Sequence, residues 1–167
     1  LTTEQTARDA LALANAQLGE RPVHAVIYTH SHTDHFGGVL GVVSQEDVDA
    51  GRCKIIAPEH FLAETVGENV IAGPAMARRA LFQFGVLLPA DPKGHVDCGL
   101  GNGLPLGAPG LIAPTHDITK TGETMTIDGI EVTCLDAATP IMMVSAADLG
   151  LSGRESPAEL DAHSAML

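Results

Sequence analysis

The sequence is poor in aromatic residues, in basic residues and in long apolar runs. Aromatics make up 3% of the 167 residues, with one tyrosine, four phenylalanines and no tryptophan, so aliphatic side chains are expected to fill the core. No apolar stretch reaches the roughly 18 residues of a membrane span, which predicts no membrane crossing. Nine Lys and Arg against 21 Asp and Glu give a formal net charge of −12. This balance argues against nucleic acid and anionic membranes as partners, because both attract clusters of basic side chains.

Cysteines are few and widely spaced. Cys53, Cys98 and Cys134 form no close-spaced metal-binding pattern and are odd in number, which predicts buried, reduced thiols and no disulfide framework. Because the chain begins with Leu1, an export signal upstream is not excluded, and the sequence leaves the compartment open. The length fits one domain, which would bury roughly 70% of its unfolded surface.

Against this background, three histidines and an aspartate stand within six residues: His30, His32, Asp34 and His35. They follow the short apolar run 23–28, which predicts a buried strand of an α/β sheet. Because alternate residues of an extended chain point the same way, His30 and His32 are predicted to reach one metal ion, and Asp34 and His35, displaced by a turn, a second. Imidazole and carboxylate are zinc ligands, and two adjacent ions suit hydrolysis, with Asp34 orienting the attacking water. The alternative is a polar loop with surface histidines.

The rest of the chain alternates helices and short strands. Thr2 is predicted to cap a first helix that Gly19 ends, and Gly37 and Gly38 are expected to bring the backbone close to the metal ions. The further predicted elements are a helix from Val39, a strand at 54–57, helices at 61–70 and 74–84, a long loop at 89–114 and a hairpin at 125–132 that turns at Asp128-Gly129.

Other residues with chemical potential show weaker patterns. Arg78 and Arg79 are interpreted as an exposed helix face in preference to an anion clamp. Phe82 and Phe84 are assigned to core packing in preference to a substrate groove. Four more histidines have no ligand spacing and are predicted to lie outside the metal site: His24, His60, His95 and His116.

The motif and its surroundings resemble a known family. His-x-His-x-Asp-His after a strand resembles the signature of the metallo-β-lactamase fold hydrolases, and the longer stretch 25–39 resembles the zinc-dependent linear alkylsulfatases. The resemblance implies an αββα metallo-β-lactamase-like sandwich, here partial, and hydrolysis of primary or secondary alkyl sulfate esters to alcohol and sulfate. It also implies two zinc ions. The resemblance continues in the same order through 57–59, 68–80, 85–89, 91–94, 99–101, 114–115 and 118–122, to about Val132.

The downstream residues depart from that family. An expected metal-binding Glu is absent from 135–144, and Glu155 is the candidate for a second one. The chain stops at Leu167, before the family's last His, its helical dimerisation region and its lipid-carrier-like domain would come. Residues 133–167 are therefore interpreted as a divergent part of one partial domain at 1–167. A fragment or a disturbed reading frame explains the abrupt loss of resemblance better than a shortened relative, and the parent protein is expected to be a homodimer.

Three functions stay open from the sequence. The leading hypothesis is a zinc-dependent hydrolase of a small-molecule alkyl sulfate. The second is another hydrolase of the same fold, acting on a thioester, a lactone or a phosphodiester. The third is a non-catalytic metal-binding protein, because downstream ligands are missing. Under the leading hypothesis the parent protein is the enzyme, and this chain alone is expected to be weak or inactive.

Overall fold

The structure is a computed structural model that describes residues 1–97, 107–137 and 139–163. Its helices are Glu4–Leu18 (α1), Thr33–Phe36 (α2), Gln45–Asp49 (α3), Phe61–Val66 (α4), Gly73–Gln83 (α5) and Pro157–Asp161 (α6), with 3₁₀ turns at Val39–Gly41 and Ala146–Leu149 and a π-helical turn at Gly67–Ile71. Its strands are Ala25–Ile27 (β1), Lys54–Pro58 (β2), His116–Ile118 (β3), Glu123–Ile127 (β4), Ile130–Asp136 (β5) and Pro140–Val144 (β6).

The first three strands form a parallel sheet in the order β1-β2-β3. Val26 pairs with Ile55, and Ile56 pairs with His116. The central strand β2 is apolar and buried on both faces, as parallel strands covered by helices are, and Ile55 and Ile56 have no exposed surface. Both strands predicted from short apolar runs are confirmed, with β1 shorter than predicted and β2 extended to Pro58.

The last three strands form a separate antiparallel sheet in the order β4-β5-β6. The predicted hairpin is confirmed: Asp128 and Gly129 both have positive φ, 48° and 79°, which is the backbone of the tight turn that such dipeptides favour. On β5 the alternate residues Val132 and Cys134 are buried, so this sheet has one buried face. An α/β fold is therefore confirmed.

The core is built around aromatic rings, although the chain has only five aromatic residues. Tyr28 stacks on Phe61 with ring centroids 4.8 Å apart, and Phe36 meets both rings edge-on at 6.1 and 5.6 Å. The prediction that aliphatic side chains alone fill the core was therefore incomplete, because three of the five aromatics gather at its centre. The aliphatic and thiol side chains around them include Val39, Val43, Val48, Cys53, Ile55, Ala57 and Ile112.

Tyr28 should titrate well above an ordinary tyrosine. Burial, partly offset by the hydrogen bond that the Ile112 amide donates to its hydroxyl, raises its pKa to about 12. The folded state therefore disfavours ionisation, and stability is lost as pH rises from the unfolded value of about 10 toward 12. Because the chain contains one tyrosine and no tryptophan, absorbance at 295 nm reports this group alone. We expect a midpoint near 12 in the folded chain and near 10 in urea; a midpoint of 10 in both would contradict the burial.

Two helix predictions need correction. Thr3, not Thr2, caps α1: its hydroxyl accepts from the Thr6 amide, and its side chain is 1% exposed. The capping residue is thus the one that the fold buries, which the sequence pattern does not reveal. The helix predicted from Val39 is a single 3₁₀ turn, because Ser44 begins a new helix by capping α3 through the Asp47 amide.

The remaining predictions agree with the structure where it describes them. The two predicted helices at 61–70 and 74–84 are confirmed as α4 with its π-helical turn and as α5. Cys53 and Cys134 are buried free thiols, and burial raises the pKa of both; Cys98 and the middle of the predicted loop lie outside the described residues. No helix in the described ranges is long and apolar enough to cross a membrane.

Candidate metal centre

The histidine loop, which carries His30, His32, Asp34 and His35, lies at the carboxyl edge of the parallel sheet, where open α/β sheets usually bind ligands. The backbone of Tyr28 still pairs with β2 through the Ile56 carbonyl, at 2.8 Å. The chain then leaves the sheet, and His32 is the extended residue that precedes α2, with φ −70° and ψ 134°. His30 therefore lies on the loop before α2, and Asp34 and His35 lie on its single turn.

His30 and His32 form one pair of facing donors. His30 Nε2 lies 3.0 Å from His32 Nδ1. The outer nitrogen of each ring has its own partner: His30 Nδ1 contacts the Thr29 hydroxyl at 3.0 Å, and His32 Nε2 contacts Glu68 Oε1 at 3.1 Å. The other nitrogen of each ring, His30 Nε2 and His32 Nδ1, is the one that faces the neighbouring histidine.

Asp34 and His35 form a second pair. His35 Nε2 lies 3.3 Å from Asp34 Oδ2, and His35 Nδ1 lies 3.3 Å from the Thr29 hydroxyl. The rings of His30 and His35 are adjacent, with centroids 4.0 Å apart. The four side chains thus gather as two neighbouring pairs that share Thr29.

The two pairs fit zinc in donor chemistry, although neither is a complete site. Two nitrogens bound at the usual zinc distance of about 2.0–2.1 Å in tetrahedral geometry lie about 3.3 Å apart, close to the 3.0 Å between His30 Nε2 and His32 Nδ1. Within the described residues, however, no three His, Cys, Asp or Glu side chains are arranged to hold one ion. Each pair therefore offers two of the four donors that a tetrahedral zinc site requires.

Burial and neighbouring imidazoles disfavour the charged form of His30. Partial burial and the neighbouring imidazoles of His35 and His32 lower the pKa of His30 below its usual value. A neutral imidazole offers the lone pair that a metal ligand needs, whereas an imidazolium does not.

An apolar cavity of about 430 Å³ lies beside the loop, between the two sheets. Thr29 lines it and also contacts His30 and His35, so the cavity and the histidine cluster adjoin. Lys120 and His60 contribute polar groups to its wall. Much of the remaining wall is apolar and includes Ile27, Pro58, Ile118, Leu135, Ile141 and Met142.

A family model described as the metallo-beta-lactamase superfamily matches residues 1–121, which include the whole histidine cluster. The chain belongs to the metallo-beta-lactamase superfamily. Membership implies a metal-dependent site, and the matched residues contain both donor pairs described above.

Relatives confirm the resemblance to alkylsulfatases. The linear primary-alkylsulfatase of Pseudomonas sp is 52% identical over 130 residues, which are 78% of this chain and 19% of that protein. The solved structure of the stereoselective inverting sec-alkylsulfatase of Pseudomonas sp. has a TM-score of 0.76 and 40% identity, covering 87% of this chain and 24% of that one. The chain thus spans about a fifth of the length of the curated sulfatase that it matches.

One match is of another kind. The putative isomerase YbhH of Escherichia coli is 39% identical over an alignment of 74 residues, which covers 36% of this chain and 21% of that protein. This match covers too little of either chain to show a second family.

Among the remaining histidines, three lie against carboxylates away from the superfamily motif. His24 Nε2 is 3.5 Å from Asp128, His60 Nε2 is 4.0 Å from Glu59, and His116 Nε2 is 3.1 Å from Glu123. Hydrogen bonds from Thr119 and His116 lower the pKa of Glu123. The ring Nε2 of His95 is buried without a hydrogen-bond partner among the described residues.

Glu155, the sequence candidate for a downstream ligand, binds its own loop. Its carboxylate accepts hydrogen bonds from the amides of Ser152, Gly153 and Arg154 at 2.6–3.0 Å. These bonds lower its pKa to about 2. The structure shows no contact between this carboxylate and the histidine cluster, so Glu155 completes neither pair as described.

The helix α5 exposes residues that the sequence assigned to different roles. Arg78 and Arg79 lie on an exposed face, in agreement with the favoured interpretation. Phe82 was wrongly assigned to the core: it is 81% exposed, because α5 buries none of its residues. Phe84 is half-buried.

Sequence reasoning missed the residues that orient the loop, which are Thr29, Glu68 and Asn69. Thr29 precedes the motif, and Glu68 and Asn69 lie more than thirty residues after it on the π-helical turn. The stretch that contains Glu68 and Asn69 carried part of the family resemblance, but nothing in its spacing connected it to the histidines.

Proposed function

We propose that the chain contributes to a zinc-dependent hydrolase of alkyl sulfate esters, which converts an alkyl sulfate and water into an alcohol and sulfate. The observation that carries the proposal is the juxtaposition of the histidine cluster with an apolar cavity through Thr29. The similarity to a linear primary-alkylsulfatase supports the substrate class. Activity, substrate and partners of the whole protein are proposals, since the chain spans a fifth of that relative.

We assign the metal-binding role to two pairs, His30 with His32 and Asp34 with His35. When bound, zinc polarises the ester and makes water a usable nucleophile near neutral pH. In this assignment the Asp34 carboxylate also accepts a hydrogen bond from the attacking water and so orients it. Thr29 holds the imidazoles of His30 and His35 through its hydroxyl.

The cavity suits an amphiphilic substrate with an apolar chain and an anionic head. Its apolar wall removes hydrocarbon from water, which stabilises a bound chain by about 0.8 kcal/mol per buried CH₂ group. Lys120 supplies a positive charge for an anion, in a wall that also contains the carboxylates of Glu59 and Asp136. Bound zinc would add to that local charge.

One observation favours a second candidate, a non-catalytic metal-binding protein. Within the described ranges neither donor pair finds a third ligand, and the carboxylate of Glu155 is engaged elsewhere. An incomplete ligand set binds metal weakly, and weak binding limits hydrolysis. Another hydrolase of the fold, acting on a thioester, lactone or phosphodiester, is the same-fold alternative.

The experiment that tests the proposal combines metal content with a substrate panel. We expect the purified, zinc-loaded chain to release inorganic sulfate from octyl sulfate faster than it hydrolyses a thioester, a lactone or bis-p-nitrophenyl phosphate. Octyl sulfate is preferred to longer detergents because it stays below its micelle concentration at assay levels. Elemental analysis of the same sample gives zinc per chain, with two ions expected for a dinuclear site.

The outcomes separate the candidates. About two ions per chain and turnover of octyl sulfate support the alkylsulfatase. Bound zinc without turnover of any ester supports the non-catalytic candidate, and preference for another ester supports the same-fold alternative. A variant with His30 and His32 replaced by Ala is the control for sulfate released by contaminants.

Two further assignments remain proposals. We propose that residues 1–167 belong to one partial metallo-β-lactamase-like domain, with the antiparallel sheet as its second layer. Limited proteolysis that releases a fragment beginning near residue 120 intact would argue for two units. The family resemblance also supports a homodimer for the parent protein, which light scattering would test.

A further inference from the structure

Three hydrogen bonds and one histidine–carboxylate contact join the π-helical turn after α4 to the histidine loop, and the proposed reaction does not require them. Glu68 accepts from the Ser31 hydroxyl and contacts His32 Nε2, both at 3.1 Å. Asn69 accepts from the Thr33 hydroxyl at 2.6 Å and donates to the Ser31 carbonyl at 3.1 Å. The three consecutive loop residues between His30 and Asp34 are thus all held by two consecutive residues of this turn.

The turn itself is an unusual piece of backbone. The Ala72 amide donates to the Gly67 carbonyl, five residues earlier, at 2.9 Å. Such π-type turns are rare in helices, and those that occur are often found at functional sites. The side chain of Asn69 is also held by its own helix, because its side-chain amide donates to the Thr65 carbonyl at 2.9 Å. Glu68 and Asn69 therefore approach the loop from a defined position.

The Glu68 contact favours one of the two nitrogens of His32 as the site of the proton. An ionised carboxylate offers only acceptors, so the Nε2 that lies 3.1 Å from it is the nitrogen on which a hydrogen is stabilised. In a neutral imidazole the other nitrogen, Nδ1, then holds the lone pair. This Nδ1 is the atom that faces His30 Nε2 at 3.0 Å.

We propose that Glu68 is a positioning residue. It holds His32 in the Nε2–H tautomer, so that the lone pair of His32 Nδ1 is directed to the metal position shared with His30 Nε2. The proposal rests on the metal-dependent function proposed above. A metal-binding imidazole commonly donates its second N–H to a carboxylate, which sets both tautomer and ring orientation. An exposed ion pair alone contributes little stability, but Glu68 is anchored through its second oxygen by Ser31 and is largely buried.

The test is Glu68→Gln, measured in two ways. A Gln amide both donates and accepts, so it no longer selects one tautomer of His32. We expect zinc affinity, measured by competition with a chromophoric chelator, to fall about 10- to 100-fold. We also expect nitrogen-detected NMR of the zinc-free chain at pH 8 to show the Nε2–H tautomer of His32 in the unaltered protein and a mixture in the variant.

The matched control is Asp128→Asn, which alters another histidine–carboxylate pair, between Asp128 and His24, at the end of β1 opposite the histidine loop. Asn tolerates the φ of 48° at this turn, so the hairpin is kept. Zinc affinity and the His32 tautomer should not change in this variant. Thermal unfolding is measured for both variants. If Glu68→Gln loses stability while the His32 tautomer is unchanged, Glu68 has a structural role only, and the proposal is overturned.

The outcomes distinguish this proposal from the proposed function. Unchanged zinc affinity and an unchanged His32 tautomer in Glu68→Gln would overturn the role of Glu68 while leaving alkyl sulfate hydrolysis standing. Absence of zinc binding by the unaltered chain would overturn the proposed function, and the tautomer in the zinc-free chain would then decide the role of Glu68 by itself. A loss of the Nε2–H preference in Glu68→Gln, with Asp128→Asn unaffected, supports the proposal.

Discussion

Replacing Tyr28 by Ala is expected to lower the free energy of unfolding by about 3–5 kcal/mol, the range for removing a large buried aromatic side chain. Tyr28 is 1% exposed and stacks on Phe61, with Phe36 packed edge-on. The cavity left by the ring would face the centre of the core, where neighbouring backbone from β2 is too constrained to collapse into it. Urea unfolding followed by circular dichroism measures the loss, because the variant lacks the only tyrosine.

The matched variant is Tyr28→Phe, which keeps the ring and removes only the hydroxyl. That hydroxyl donates to the Ile112 carbonyl at 3.1 Å and accepts from the Ile112 amide at 3.4 Å. Leaving these buried groups unpaired costs about 1–3 kcal/mol, less than removing the ring. If Tyr28→Ala were no less stable than Tyr28→Phe, ring packing would not be what holds β1, and with it the histidine loop two residues later, in place.

Much of the fold was predictable because it depends on local patterns. The runs that became β1 and β2 are short, apolar and followed by turn or loop residues, and the Asp128-Gly129 dipeptide accepts positive φ at both positions. What failed depended on tertiary packing. The sequence favoured Thr2 as the cap because Gln5 completes a capping box with it, whereas the fold buries Thr3 and uses its hydroxyl instead.

The sequence predicted which side chains gather at the candidate site but not the residues that surround them. Alternation of side chains along extended backbone anticipates that His30 and His32 meet, because that geometry is local. The partner of His32 is Glu68, thirty-six positions later, and only the packing of the π-helical turn against the loop reveals it. Likewise Glu155 suited a ligand by residue type, but the amides of its own loop engage it, which no spacing rule anticipates.

The two glycines after the motif have a steric role that leads to the second large effect. Gly37 has an ordinary helical backbone, with φ −59° and ψ −19°, so it is not required for conformational freedom. A Cβ at this position would lie 2.3 Å from the Thr2 carbonyl oxygen and 2.7 Å from that of Thr33. The sequence suggested that glycine lets the backbone approach the metal ions; the structure shows that it lets the segment before α1 pack against the loop.

Gly37→Ala is therefore expected to lower the free energy of unfolding by about 3 kcal/mol, at the upper end of the range for overpacking. Backbone atoms on both sides must move to admit the methyl group, and a backbone shift is costlier than a side-chain rotation. The Gly37 carbonyl accepts from the Gly110 amide at 2.7 Å, so the displacement would also strain the connection to β3. Urea unfolding at neutral pH measures the loss.

Gly73→Ala is the control that isolates sterics from the general effect of removing a glycine. Gly73 begins α5, and a Cβ there would meet no atom within 4 Å. Because Ala loses less backbone entropy than Gly on entering a helix, this variant should be unchanged or more stable by up to about 1 kcal/mol. If Gly37→Ala were as stable as Gly73→Ala, the segment before α1 would not rest on the histidine loop. In that case the glycine pair would have to be explained by the metal site alone.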